Sequence, residues 1–261
     1  MIAASAALLR AGEALSELAW PTRCVGCNMP GELLCDECRA ALPWIEQRWA
    51  CPVCGAPYGW LTCTECDRSR GHDETSELSA SQPMTTWPTR ASVCSLPFGG
   101  VGASLVANLK DAHELRLAPV MAALMACSLD EATSWPALDG QPRFDPSHTD
   151  VIAFVPATPV AVARRGFDHM ELVSRALSGL VNVPLLDALA RFDARDQRVL
   201  GKEERARNLA GTVQVVCDVH SLNVLLVDDV MTTGASMREA ASALLRGGAA
   251  SVSACALTRV C

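Results

Sequence analysis

The sequence predicts an α/β protein in which a parallel sheet flanked by helices follows a small cysteine-rich module. Three observations carry this prediction. Strand-like apolar runs alternate with helix-like amphipathic segments from residue 91 to the C-terminus, an order typical of parallel α/β folds. Eight cysteines form four C-x-x-C pairs between Cys24 and Cys66. One apolar run, Val224–Val227, ends in Asp228 and Asp229, directly before a Thr-Thr-Gly loop.

Length and composition limit the functional classes. The 261 residues are enough for one α/β domain with a sizeable core and a smaller module. The net charge of −7 argues against a protein that binds polyanions over its whole surface. No uninterrupted apolar run of about 18 residues occurs, so we expect no transmembrane span and no membrane partner.

The first twenty residues are rich in alanine and leucine. Arg10, Glu13 and Glu17 interrupt this stretch, and no basic region precedes it, so an amphipathic helix over residues 1–20 is favoured over an export signal. The chain has 13 cysteines, and an odd number without an export signal indicates reduced thiols in the cytoplasm.

The cysteine pairs predict structural zinc. Their spacing is C-x2-C-x7-C-x2-C followed by C-x2-C-x8-C-x2-C, and two C-x-x-C turns can supply the four thiolates of a tetrahedral zinc site. Because cysteine fills every ligand position, we expect two structural ions and a double zinc ribbon over residues 21–70. Sequential pairing and a cross-braced pairing both fit the spacing. The expected ligands are Cys24, Cys27, Cys35, Cys38, Cys51, Cys54, Cys63 and Cys66.

A polar stretch with two prolines predicts a linker over residues 71–90, and residues 91–261 form the predicted α/β domain. We expect strands at residues 91–98, 150–155, 182–189, 211–217, 223–227 and 251–257, and helices at residues 101–111, 114–127, 169–180 and 236–246. Residues 128–149 and the stretch from Ala157 to Asp168 are predicted loops. The highly charged residues 191–208 are predicted to be a mobile segment beside the site.

The segment from Asp228 to Ser236 predicts a site for a phosphate and a sugar. A loop at the carboxyl end of a parallel strand lies where open α/β sheets bind ligands. Backbone N–H groups at the following helix start, with threonine and serine hydroxyls, can hold an anion. The two acids would repel that anion unless they held sugar hydroxyls or a divalent cation. A second strand-to-helix edge, Arg164-Arg165-Gly166, is suited to another polyanionic group.

The segment from Asp228 to Ser236 resembles the PRPP-binding motif of type I phosphoribosyltransferases. Together with the cysteine pairs, Asn108-Leu109-Lys110, Arg164-Arg165-Gly166-Phe167, Asp196-Gln197 and Arg205-Ala206-Arg207-Asn208, it makes nearly all of residues 20–260 similar to the ComF family of competence-associated proteins. That family combines a zinc module with a phosphoribosyltransferase-like domain. The family usually continues Arg-Gly-Phe with Asn-Gln, where this chain has Asp168 and His169.

The resemblance implies how a ligand would be held. Asp228 and Asp229 would be the catalytic residues and would take the ribose hydroxyls, with Mg²⁺ between the ribose and the diphosphate. Arg164, Arg165, Gly166 and Arg205 would contact the diphosphate. The 5′-phosphate would lie on Met231, Thr232, Thr233, Gly234, Ala235 and Ser236. A nitrogenous acceptor would then receive the phosphoribosyl group.

Two other functions remain open at the level of sequence. A non-catalytic module could sense PRPP or a nucleotide, or dock single-stranded DNA or a protein of the competence machinery. A transcriptional regulator could read DNA with its zinc ribbons, although residues 20–70 hold five arginines against six acids and so make a poor basic surface. The oligomeric state is open, a dimer included.

Overall fold

The computed structural model describes residues 21–61, 63–64, 87–192 and 212–261. The predicted N-terminal helix, most of the predicted linker and of the predicted mobile segment, Cys66 and Arg205 lie outside these residues. The chain forms two compact units, Met1–Leu42 and Pro43–Cys261. The second group of cysteines therefore lies in the same unit as the sheet, while the boundary predicted near residue 70 stays a prediction.

The first unit contains one short helix among its described residues, α1 (Asp36–Ala40). Backbone hydrogen bonds close a turn before this helix, from Asn28 N to Cys24 O at 2.8 Å, and the first turn of the helix itself, from Arg39 N to Cys35 O at 2.8 Å. These turns place the four cysteines of this unit around one point. So small a segment buries little apolar surface, and a metal would supply much of its stability.

The second unit is built on a parallel sheet, as predicted. Its four strands are ordered β1-β6-β5-β2 and all neighbouring pairs are parallel. The strands are β1 (Ser92–Pro97), β2 (Val151–Phe154), β5 (Asn223–Met231) and β6 (Ser251–Arg259). Two further strands, β3 (Leu189–Arg191) and β4 (Val213–Val215), pair antiparallel outside this sheet.

Among the described residues, this unit has five α-helices: α2 (Gly100–Lys110), α3 (Leu117–Ala132), α4 (Pro159–Arg165), α5 (His169–Val181) and α6 (Ala235–Arg246). Helix α3 packs against α5 and β1, and α6 packs against β4, β5 and β6. The strands between these helices are buried along most of their length, because both faces of a parallel sheet are covered. Among the described residues, no helix is both long and apolar enough to cross a membrane.

Both predicted loops contain helical residues, and the strand predicted at residues 182–189 is wrong, since β3 covers Leu189–Arg191. Helix α3 begins at Leu117 and runs to Ala132, so the predicted loop over residues 128–149 starts five residues too early. The predicted loop from Ala157 to Asp168 contains helix α4. Thr158 caps α4 with its hydroxyl, which accepts from Ala161 N at 3.2 Å, Pro159 stands in its first turn, and Gly166 ends it at φ 82°. This is the sequence signature of a short helix.

Candidate functional site at the carboxyl edge of the sheet

The two acids lie at the carboxyl end of β5, next to β6. Strand β5 continues past both acids to Met231, which is in register with Arg259. Asp229 is only 4% exposed, whereas Asp228 is half-buried. The carboxyl ends of parallel strands share one edge, so the loop after β5 lies where the sequence predicted a ligand.

Asp229 is held by two side chains from different helices. Lys110, at the end of α2, forms an ion pair with Asp229 Oδ2. His169, at the start of α5 and 5% exposed, places Nε2 3.1 Å from the same oxygen. Burial acts to raise the pKa of Asp229, but the hydrogen bond from His169 and the charge of Lys110 outweigh it and lower that pKa. Asp229 is therefore an ionised carboxylate within the protein.

The second arginine of the Arg-Arg-Gly sequence reaches this acid through His169. Arg165 Nη1 lies 2.9 Å from His169 Nδ1. Since a guanidinium only donates, Nδ1 accepts, and the proton on the ring is on Nε2, which donates to Asp229. The chain Arg165–His169–Asp229 thus fixes one neutral tautomer of His169. Arg164 instead points outward, 3.6 Å from Asp111.

Asp168 has a structural role that the sequence did not reveal. Its Oδ1 accepts from Met170 N at 2.9 Å and caps α5, and its Oδ2 accepts from Ala157 N at 2.8 Å. The carboxylate therefore ties the loop after β2 to the start of α5. Phe167 packs edge-on against His113, with ring centroids 5.6 Å apart, and so joins the end of α4 to the turn after α2.

The pKa of Asp228 is shifted in the opposite direction from that of Asp229. Desolvation by the surrounding protein, followed by the charge of Asp229, raises the pKa of Asp228 well above its usual range. Its Oδ1 accepts from Asp229 N at 2.9 Å. A carboxyl with a raised pKa gains from a ligand that brings hydroxyl donors or a divalent cation.

The loop after β5 is open to ligand on one side and supported by protein on the other. Thr232 and Thr233 are exposed, whereas the Met231 side chain is buried in the core. Gly234 has φ 73° and is buried. A Cβ at Gly234 would lie 2.2 Å from the Trp87 ring, so that ring stands directly behind the loop.

Arg238 completes the support of this loop. Its Nη1 donates to Thr233 O at 2.8 Å, and its guanidinium lies 4.9 Å from the centre of the Trp87 ring. The loop backbone is thus fixed, and Ala235 N, in the first turn of α6, donates to Thr233 Oγ1 at 3.4 Å. Such a loop can hold an anion.

The eight expected metal ligands fall into two groups, of which seven residues are described. The first cysteine cluster is Cys24, Cys27, Cys35 and Cys38, and the second cysteine cluster is Cys51, Cys54 and Cys63. Within each cluster all sulfur atoms lie within 4.8 Å of one another. The C-x-x-C pairs therefore associate in sequence order rather than cross-braced.

The sulfur geometry fits a tetrahedral metal site. Sulfur–sulfur distances are 3.6 Å for Cys24–Cys35, 3.7 Å for Cys27–Cys35 and 3.5 Å for Cys54–Cys63. A zinc–sulfur bond of about 2.3 Å gives an edge of about 3.8 Å, whereas a disulfide would need about 2.05 Å. Both clusters can hold a metal ion through thiolates.

The first cysteine cluster also has the hydrogen bonds that favour thiolates. Burial opposes ionisation of Cys24, but backbone N–H groups of Cys35, Cys27 and Gly26 outweigh it and lower its pKa to about 6. Two of these groups, Gly26 N and Cys35 N, lie 3.4 Å from its sulfur. The neighbouring Cys35 sulfur raises the pKa of Cys38 to about 12. Four thiols at one point thus share negative charge, a situation that a cation stabilises.

Sequence reasoning did not assign Lys110, His169, Trp87 and Arg259 to the site. One signal was available for Lys110, since the chain has only two lysines, Lys110 and Lys202, and this one ends an apolar helix. The structure makes His169 a donor to Asp229. For Trp87 and Arg259 the sequence offers no local signal, because their contacts join segments that are far apart in the chain.

Comparison with known proteins agrees with this fold. Residues 153–260 match the model of the phosphoribosyl transferase domain. The chain is 30% identical to the DNA utilization protein YhgH of Salmonella typhi over 92% of its length and 97% of that protein. The homologue from Escherichia coli (strain K12) is 27% identical over the same shares. The competence protein ComFC of Bacillus subtilis (strain 168) is 25% identical, over 88% of this chain and 85% of that protein.

Proposed function

Because the chain belongs to the ComF family, we propose that it binds PRPP or a related ribose phosphate with Mg²⁺ at the carboxyl edge of its sheet, in the service of DNA uptake or use. The observation that carries this proposal is the convergence of Lys110, Arg165 and His169 on Asp229, beside the Thr232–Ser236 loop. PRPP offers two ribose hydroxyl donors and two anionic groups, which correspond to the two acids, the anion loop and the nearby cations of this site.

Each part of the ligand has a matching part of the site. The 5′-phosphate would bind the exposed Thr232 and Thr233 and the first turn of α6. The ribose hydroxyls would donate to Asp228 and Asp229. The diphosphate would lie toward Lys110 and Arg164, whose exposed guanidinium lies 3.6 Å from Asp111. Arg205, outside the described residues, stays a proposed diphosphate contact.

The acids also suit a divalent cation. Mg²⁺ prefers oxygen ligands, and Asp228 supplies carboxylate oxygens in a half-buried position. When bound, the ion would neutralise charge on the diphosphate. The protein's own contribution is to position the ribose and to present fixed positive charge, which is how sites of this kind stabilise a departing anion. A nitrogenous acceptor would complete a phosphoribosyl transfer.

A titration tests the ligand assignment. Calorimetry with PRPP and Mg²⁺ should show binding to the unaltered protein and none to Asp228→Asn/Asp229→Asn. The matched control is Asp130→Asn, which removes an exposed carboxylate from α3 and should leave the affinity unchanged. If the unaltered protein shows no heat of binding at millimolar PRPP, the proposal is wrong.

A non-catalytic role is the second candidate, because the relatives described above are named a DNA utilization protein and a competence protein. Here the site would sense PRPP or a nucleotide, and the protein would dock single-stranded DNA or a protein partner in the cytoplasm. A panel of nitrogenous bases decides between the two: release of diphosphate with any base supports transfer, and binding without release supports sensing. A mobility-shift series with single-stranded DNA at falling salt tests docking.

Metal analysis tests the proposed zinc. Two zinc ions per chain are expected if both clusters are filled, Cys66 completing the second. Cys24→Ser/Cys27→Ser should lower the content to one, and a content below one in the unaltered protein would contradict the assignment.

A further inference from the structure

Arg259 connects the second cysteine cluster with the ligand loop. It ends β6 and is 1% exposed. Its Nε donates to Cys54 O at 3.1 Å. Its Nη1 donates to Met231 O at 3.2 Å and also to the carbonyls of Thr232 and Val260. One buried guanidinium therefore holds the backbone of an expected metal ligand and the backbone at the start of the ligand loop.

The cysteine side of this connection is a tight turn fixed to the sheet. Cys51 O accepts from Gly55 N at 2.9 Å, and Pro52 O accepts from Ser92 N of β1 at 2.9 Å. Gly55 has φ 67°, and a Cβ there would lie 2.5 Å from Cys94 Sγ. Since Cys54 lies within this turn, the position of its carbonyl depends on how the Cys51 and Cys54 sulfurs are held.

Electrostatic interactions also connect the second cysteine cluster with Arg259. A divalent metal with four thiolates carries a net charge of about −2. A buried cation beside such a group is stabilised by it, and the stabilisation is strong because the surroundings are desolvated. Loss of the metal removes the constraint on the Cys54 turn and changes the charge that Arg259 faces. Both changes act on the side chain that fixes the carbonyls of Met231 and Thr232.

We propose that Arg259 is a positioning residue through which metal at the second cysteine cluster orders the Met231–Ser236 loop. Metal occupancy thereby sets the affinity for the loop's anionic ligand, and this last clause rests on the proposed function. Linkage requires the effect to be reciprocal: a ligand that binds the ordered loop better slows loss of the metal.

Hydrogen exchange tests the coupling without any ligand. The exchange of residues 231–236 is measured by mass spectrometry in metal-loaded protein and after removal of zinc by a nitrogen-donor chelator. In the unaltered protein, chelation should raise exchange in this loop about tenfold, in the range of ordinary coupling energies. In Arg259→Gln the loop should exchange fast already and should not respond to chelation.

Arg143→Gln is the matched control. Arg143 is also a fully buried arginine beside this cluster, with its guanidinium 5.9 Å from the ring of Trp60, which lies between Cys54 and Cys63. Its Nε donates to Pro136 O at 3.1 Å, away from the loop. Arg143→Gln should therefore keep the response of the loop to chelation. The same loss of response in both variants would overturn the role of Arg259.

Two other outcomes would also overturn the proposal. One is faster exchange at residues 51–63 with no change at residues 231–236. The other is an equal rise in the core of β5, Val224–Val227, which would indicate general unfolding. If Arg259→Gln does not fold, Arg259→Lys replaces it, because one ammonium keeps the charge but cannot span Cys54 and Thr232 together. Its loop should no longer respond to the metal.

The affinity measurement separates the two proposals. PRPP with Mg²⁺ is titrated into metal-loaded and chelated protein, and chelation should lower the affinity about tenfold in the unaltered chain but not in Arg259→Lys. Absence of PRPP binding in metal-loaded protein would refute the proposed function, while the exchange result would still decide the role of Arg259. Equal PRPP affinity in both metal states would overturn the coupling and leave the proposed function standing.

Discussion

Replacing Lys110 with methionine tests whether the charged contacts of Asp229 hold the site together. The change keeps an unbranched side chain, one atom shorter, and removes its charge. Asp229, 4% exposed, then loses its ion pair with Lys110 and keeps the hydrogen bond from His169. Breaking a buried ion pair costs about 3–5 kcal/mol. Because 24% of the Lys110 side chain is exposed, we expect a loss nearer 2–3 kcal/mol after allowance for solvent screening. At about 2–4 °C per kcal/mol for a unit of this size, the melting temperature should fall by about 4–12 °C.

The pH dependence of this loss has a defined sign. The pKa of Asp229 is lower in the folded protein than in the unfolded chain, so its contribution to stability is present above the unfolded pKa of about 3.9 and is lost as the pH falls through the folded pKa. The difference between Lys110→Met and the unaltered protein should be greatest near pH 7 and should shrink below about pH 4. Denaturant unfolding over this pH range measures it.

A double-mutant cycle with Asp229→Asn isolates the pair. The coupling free energy should exceed about 1 kcal/mol, since both charges are removed from water. The matched control is the exposed pair Glu171–Arg175 on α5, whose atoms are 2.8 Å apart with 45% and 68% of the side chains exposed. That pair should couple by only about 0.3–0.5 kcal/mol. A Lys110–Asp229 coupling no larger than the control would refute the reasoning.

Three further predictions concern the same edge of the sheet. Asp228→Asn should raise the melting temperature at pH 7 by a few degrees while PRPP binding is lost, because a raised folded pKa means that ionised Asp228 costs stability as the pH rises through that value. Gly234→Ala should cost about 1–3 kcal/mol in unfolding experiments because of its positive φ and the Trp87 ring, and Trp87→Leu should restore part of that loss. Asp168→Asn should cost about 1 kcal/mol in the same measurement, since the amide can accept only one of the two backbone N–H groups that the carboxylate accepts.

The parallel sheet could be predicted because its strands are recognisable from consecutive residues. Val224–Val227 and residues 251–257 are continuous apolar runs of strand length, and strands buried on both faces have this pattern. Helix α4 was missed because its seven residues show no clear apolar face, although Thr158-Pro159 and Gly166 mark its ends. The antiparallel β3–β4 pair could not be read from periodicity, because each strand has only three residues.

The candidate site, like the fold, could be predicted only in part. The acids and the Thr-Thr-Gly loop are contiguous in sequence, so the expected arrangement of a strand end, a loop and a helix start could be stated beforehand. The contact between His169 and Asp229 joins residues 60 positions apart, and that between Arg259 and Cys54 joins residues 205 positions apart. Such contacts are set by the packing of α5 and β6, and no local pattern in this chain encodes them.

The state of Asp229 bears on how a ribose phosphate would be recognised. In the protein alone, Lys110 pairs with this carboxylate and His169 donates a hydrogen bond to it. Under the proposed function, a diphosphate gives Lys110 a second anion, and Asp229 then needs other donors, which the ribose hydroxyls supply. Binding at the diphosphate position and at the ribose would therefore support each other. His169 would hold Asp229 in place throughout, because Arg165 fixes the tautomer that donates to it. A ligand that carries both a diphosphate and ribose hydroxyls gains twice, because the diphosphate pairs with Lys110 and the hydroxyls donate to Asp229. A simple phosphate leaves the Lys110–Asp229 ion pair intact.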